Sequence, residues 1–307
     1  YRKLMLYPLS YGGSFSLAVL APTSAPCQAD RMGSPQSMRR TVGCEIDASL
    51  GEATNIVLAV AVAHAPGVSI DEQLTVRAGG ERVVLTESVG LGGTRWHSAA
   101  VPEGPLTVRY EATVVGRGEP RPVDATERIL AVRPSRYVQS DELAGPLIEA
   151  SIITDLCELP ERERLNAARD WVAGRLTYTI GSTSPTDGLP EILATGQGVC
   201  RDFAHLLAGV LRATDMPARV VSVYAPQLAP MDFHAVVEAL VDEQWVVADA
   251  THMAPREGML RIATGRDAAD TAFLANDGMS LTLHRLSVHA EADRELDADP
   301  DALVMLG

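Results

Sequence analysis

The hydrophobic pattern of this 307-residue chain changes period once, and that change constrains the fold more than any other feature. From about 40 to 132 the period is that of strands. Leu106, Val108, Tyr110, Ala112 and Val114 fall on one face of an alternating segment, and Thr107, Arg109, Glu111 and Thr113 on the other. Asn55–Ala63 is a nearly continuous apolar run, as expected of a strand buried on both faces. Leu74–Arg77 and Arg82–Thr86 flank Ala78-Gly79-Gly80-Glu81, a hairpin signal. Glycines and prolines recur between these segments, so the region is expected to form a small β-sandwich.

After Arg133-Pro134-Ser135-Arg136 the period becomes helical. Leu165, Ala168, Trp171 and Val172 repeat at helix spacing within Glu161–Leu176. A short strand is expected at Tyr178–Ile180, a polar loop at Gly181–Gly188 and a short helix around Pro190–Ala194. A long helix is expected from Cys200 to Ala213, then strands at Val220–Tyr224, Ala235–Val241 and Trp245–Ala248. The expected fold is therefore α+β. It comprises an extension at 1–37, non-native or unstructured, a β domain at 38–132, a core at 133–290 and an acidic tail at 291–307.

The extension supports two readings. Arg2, Lys3 and the stretch Leu4–Ala25 resemble a secretory leader cleaved near Ala29. Pro8, Gly12 and Gly13 interrupt that stretch, which favours a natural start at Met38 or Met32.

Charge excludes several functions. The formal net charge is −14, a poor basis for binding nucleic acid or an anionic membrane surface. The segment Glu291–Asp301 holds six acids and one arginine and reads as a solvated, dispensable tail. No apolar run is long enough to span a bilayer. Cys27, Cys44, Cys157 and Cys200 are widely spaced with no C-x-x-C, which excludes a disulfide scaffold and the common structural zinc patterns. No glycine-rich phosphate loop is present, so no nucleotide cofactor is expected, and with neither zinc spacing nor a calcium-type acidic loop no metal is expected either. A metal set of Cys200, His234, Asp249 and His252 lacks ligand spacing.

The segment Gly196-Gln197-Gly198-Val199-Cys200-Arg201-Asp202-Phe203-Ala204-His205 places one cysteine in the first turn of an apolar helix. Helix N-termini carry partial positive charge, which stabilises a thiolate, the nucleophilic form of cysteine. His205 lies five residues on, about 140° round the helix, and so reads as a packing residue. Asp202 suits the helix dipole. His234 opens one strand and Asp249 follows the next. A tight turn at Val241–Gln244 would bring the two to one sheet edge, where an acid can orient an imidazole.

With Gly198–His205, Met216-Pro217-Ala218-Arg219, Asp232-Phe233-His234-Ala235, Trp245–Thr251 and Arg261–Asp270 in view, the chain resembles the bacterial transglutaminase-like cysteine protease superfamily. The linker at Arg133–Tyr137 adds to the likeness, which runs from about Arg39 to His289. The resemblance implies a papain-like core following an N-terminal β domain and a triad of Cys200, His234 and Asp249. It further implies peptide or protein substrates. Many members carry Trp two residues after the histidine, and this chain has Val236. The backbone N–H of Cys200 and the Gln197 side chain are candidate oxyanion donors, although papain-like enzymes place their Gln further upstream. Tyr178 and Arg201 are candidate cleft residues. Arg256, Arg261 and Arg266 are expected to pair with Asp267 and Asp270 to hold the C-terminal segment, or to receive a substrate carboxylate. The implied chemistry is acyl transfer through a thioester. The acceptor is water in a peptidase or amidase, and an amine in a glutamine transamidase. A non-catalytic peptide-binding module is the alternative. A reduced, reactive thiol suits a cytoplasmic setting, and the leader reading a secreted one.

Overall fold

In a computed structural model, the described residues are 5–7, 38–119, 121–143, 152–278 and 280–306. Cys27, Met32 and most of the expected extension lie outside them. Within 1–37, Met5–Tyr7 forms a strand beside Leu274–Asn276.

Two antiparallel five-stranded sheets make up the β domain. One has the order Leu281–Ala292, Arg39–Leu50, Gly104–Gly116, Val68–Ala78, Glu81–Arg82. The other runs Met5–Tyr7, Leu274–Asn276, Thr54–Leu58, Arg95–Val101, Thr86–Val89. Leu106, Val108, Tyr110, Ala112 and Val114 are buried, as their alternation requires. The expected hairpin forms at its turn, with Ala78 opposite Glu81 and both Gly79 and Gly80 at positive φ, but its second strand ends at Arg82, and Thr86 begins a strand of the other sheet.

The sequence division misses two features of this domain. Leu274–Asn276 and Leu281–Ala292 return from beyond the core to complete both sheets, so the boundary expected at 290 falls inside a strand. The end of the stretch expected to be all strand is instead a helix, Ala125–Ala131, capped by Asp124 Oδ1, which accepts from Thr126 N and Glu127 N.

The run Asn55–Ala63, with Asn55 exposed and burial complete only from Leu58 on, is a strand only as far as Leu58. Beyond it, the backbone of this run bonds outside any sheet. Val62 N–H donates to the Tyr110 hydroxyl, Ala63 N–H to the Arg261 carbonyl, and Tyr224 Oη–H to the Val60 carbonyl. These bonds permit an apolar coil to be buried between the domains.

In the core, the helix Cys200–Ala213 packs on an antiparallel sheet ordered Gln244–Ala248, His234–Val241, Ala218–Tyr224, Leu260–Gly265. Leu206, Leu207, Val210 and Leu211 are fully buried, a stabilisation of about 1.5–3 kcal/mol for each such side chain. Ala235, Val237 and Ala239 belong to the same apolar core as this helix. Val221, Val223, Val236 and Val247 form a second apolar layer with Leu306.

That second layer corrects the reading of the acidic tail. Val304 accepts a backbone bond from Val247. Arg256 donates to the carbonyls of Val247, Asp299 and Ala302. Arg169 bonds the Pro300 carbonyl and, at 2.9 Å, Asp301 Oδ1. Leu296 and Leu306 are buried. The six acids of Glu291–Asp301 conceal one apolar anchor, Leu296, and carbonyls that buried arginines hold, and Leu306 anchors the chain beyond them.

Candidate active site

Cys200 is the first residue of its helix and is buried. The turn before it is built by glycines. Gly196 has φ +63° and ends the preceding helix Leu189–Thr195. A Cβ on Gly198 would lie 2.5 Å from the Asp202 Cβ, so only glycine lets that side chain fold back over the helix start.

Asp202 uses this space. Its Oδ2 accepts from Val199 N at 2.9 Å and Thr183 Oγ1 at 2.6 Å. Its Oδ1 accepts from Arg201 Nε and Nη2 at 2.9 and 2.6 Å. Arg201 Nη2 also reaches Thr183 Oγ1 at 3.1 Å. Asp202 therefore does more than face the helix dipole: it caps the cysteine helix and ties it to the polar loop. Arg201, expected at the cleft, is buried in this clamp.

His234 opens one strand and Asp249 directly follows its neighbour, the two strands being joined by a tight turn in which Asp242 and Glu243 have positive φ. The register pairs Val237 with Ala248. Continued by one residue, it sets Asp249 opposite Val236 and diagonal to His234 on the same face. His234 Nε2 and Asp249 Oδ2 are 2.8 Å apart, and both residues are buried. The Cys200 thiol is the other hydrogen-bond partner of the imidazole. With Nε2 engaged by the acid, Nδ1 is the ring atom that serves the sulfur. The structure thus brings together the three residues that the sequence singled out.

The electrostatics follow from this packing. Burial alone would lower the His234 imidazole, but the Asp249 charge and hydrogen bond, with the Cys200 contact, push it up to about 10. Burial would raise the Asp249 carboxyl, but the His234 charge and the Thr251 donors hold it below the ordinary carboxylate range. Thr251 is a residue that sequence reasoning missed. Its N–H and Oγ1 donate to Asp249 Oδ1 at 2.9 and 2.7 Å, leaving Oδ2 for the imidazole. Its position two residues after an acid is a local Asx-type signal that was there to be read.

The other candidates divide. Tyr178 is half-buried, its ring 6.0 Å from that of Phe203 in the cysteine helix. Gln197 is exposed, and its short strand runs parallel to Thr177–Tyr178. His205 packs at 6.0 Å from Tyr137 and accepts from Ala268 N. Burial pushes it down to about 3, so it stays neutral. Of the three arginines, Arg266 pairs with Asp270 as expected, at 2.9 Å. Arg261 instead pairs with the buried Glu238, and Arg256 holds the tail. His252 is exposed and lines a cavity of about 110 Å³ with Asp249, Arg169 and Ala298. Among the described residues, no group of three or more His, Cys, Asp or Glu side chains could hold a metal ion. No helix among them is long and apolar enough to cross a membrane.

Residues 151–250 match the family model of the Transglutaminase-like superfamily, and Cys200, His234 and Asp249 all fall within that span. A proposed cysteine protease from Cytophaga hutchinsonii has a crystal structure that aligns with a TM-score of 0.75 at 27% identity. The alignment covers 86% of this chain and 95% of that one. An uncharacterized protein of Mycobacterium leprae is 29% identical over 119 residues, 36% of this chain and 43% of the relative. One from Mycobacterium tuberculosis H37Rv is 41% identical over 70 residues, 22% of each chain. The chain thus matches less than half the length of these curated relatives.

Proposed function

From the transglutaminase-like core, we propose that this protein is a thiol-dependent acyl-transfer enzyme that uses Cys200, His234 and Asp249 to hydrolyse amide or isopeptide bonds. The observation that carries this reading is the buried relay, with the Cys200 thiol bonded to an imidazole whose Nε2 lies 2.8 Å from Asp249.

The Cys200 thiolate attacks the substrate carbonyl carbon. The negative charge that develops on the carbonyl oxygen is met by donors beside the sulfur, with the Cys200 N–H and the Gln197 side chain as candidates. His234 gives its Nδ1 proton to the leaving amine, and a thioester forms. The imidazole then takes a proton from water, which attacks the thioester, releases the acid and restores the Cys200 thiolate beside the imidazolium. Asp249 keeps Nε2 protonated throughout and stabilises the imidazolium. Water is favoured as acceptor because it needs no dedicated site.

The test is a fluorogenic peptide-amide library assayed with wild type and Cys200→Ala, each with and without a primary amine. Cleavage lost in Cys200→Ala is the expected result. Amine incorporation without cleavage would replace hydrolysis by transamidation. Peptide binding that Cys200→Ala leaves intact, with no turnover in either protein, would favour a binding module.

A further inference from the structure

Among the described residues, the charges around the relay are matched with one exception. The Arg201 guanidinium is spent on Asp202 and Thr183. The Asp249 carboxylate is spent on His234 and Thr251. The Arg256 charge bears on Asp249, but its donors are committed to the carbonyls of Val247, Asp299 and Ala302. Asp232 lies two residues before His234, where the chain enters the strand His234–Val241, and it is half-buried. Its Oδ1 accepts from Phe233 N at 2.7 Å, and among the described residues it has no ion-pair partner and Oδ2 no donor. Burial pushes its carboxyl up to about 6, against the Phe233 N–H and the His234 charge, which pull it down. Among the described residues, His234 is the one charged side chain acting on it.

A half-desolvated carboxylate two residues from the relay histidine, with no ion-pair partner among the described residues, adds negative charge to the site that only His234 offsets. An anionic substrate would add to it, and a neutral one would leave it as it is. An ammonium supplies three donors and a positive charge, and it compensates the carboxylate directly. We propose that Asp232 is a specificity-determining residue that receives a protonated amine on the substrate, close to the carbonyl that Cys200 attacks. This rests on the acyl-transfer reading and names the substrate class it selects.

The test reads charge preference at the thiol without a known substrate. Methyl, 2-aminoethyl and 2-sulfonatoethyl methanethiosulfonates transfer neutral, cationic and anionic thioalkyl groups to a thiolate and release methanesulfinate. Their rates of modifying Cys200 at pH 8 are measured by peptide-mapping mass spectrometry and normalised to the same reagents' rates with 2-mercaptoethanol. In Asp232→Asn the cation-to-anion rate ratio should fall about tenfold from wild type. That is the scale expected on removing a unit charge several ångströms from the reagent in a half-solvated setting. Asp232→Glu should retain the wild-type ratio. The neutral reagent controls for folding, since structural damage would alter its rate as well. An unchanged ratio in Asp232→Asn overturns the proposal while leaving the acyl-transfer reading intact. Failure of the neutral reagent to modify Cys200 in wild type would contradict that reading, and the proposal with it.

Discussion

Replacing Asp249 with Asn removes the charge on which His234 depends and keeps the side chain's shape. In the native relay the imidazole is pushed from an ordinary 6.5 up to about 10. At about 1.4 kcal/mol per pH unit, that displacement is roughly 5 kcal/mol of preference for the imidazolium. In Asp249→Asn the burial persists and only the Cys200 contact still raises the imidazole, so His234 should titrate well below its wild-type value. NMR titration of the His234 imidazole reads this directly. Stability gives a second readout. A group whose folded-state value is raised contributes fully below its unfolded value, and the contribution is lost as pH rises through the folded value. Wild type should therefore lose up to several kcal/mol of unfolding free energy between about pH 6.5 and 10, beyond what Asp249→Asn loses in the same denaturant series. A His234 that still titrates near 10 in Asp249→Asn, or equal pH slopes for the two proteins, would refute the argument.

Two further outcomes follow from the packing around the relay. Thr251→Val removes the 2.7 Å hydroxyl donor to Asp249 Oδ1 and leaves a buried carboxylate oxygen with one fewer bond. At about 1.5–3 kcal/mol for such a bond, Cys200 turnover should fall about tenfold to a hundredfold, with Thr251→Ser largely restoring it. Arg256→Ala releases three carbonyls, two of them in the C-terminal segment. The expected result is proteolytic nicking within Glu291–Asp301 under conditions where wild type resists, with a loss of about 2–4 kcal/mol in stability. Equal protease resistance would show that Arg256 does not hold the segment.

What could be read from the sequence was set by how local each signal is. The cysteine helix, the His234 and Asp249 strands and the Gly79-Gly80 hairpin are specified by residues close in the chain, through periodicity and turn chemistry. The return of Leu274–Asn276 and Leu281–Ala292 to the β domain is a pairing across more than 150 residues, and nothing in those segments names their partners. The tail was misread because its acids dominate the composition, while its anchoring relies on backbone carbonyls, which composition does not record. Arg201 and Asp202 were read as separate residues. Their clamp depends on the Gly198 space and on Thr183 in a distant loop. Thr251 and Asp232 adjoin residues that the sequence did single out, and their roles became visible only with geometry.

The central claim is that His234 activates Cys200. It is tested most directly by the rate at which iodoacetamide alkylates Cys200 at pH 6.5 in wild type and in His234→Ala, read by peptide-mapping mass spectrometry. The relay predicts that wild type reacts at least about tenfold faster, because the imidazolium that stabilises the thiolate is absent from the variant. Equal rates in the two proteins would contradict it.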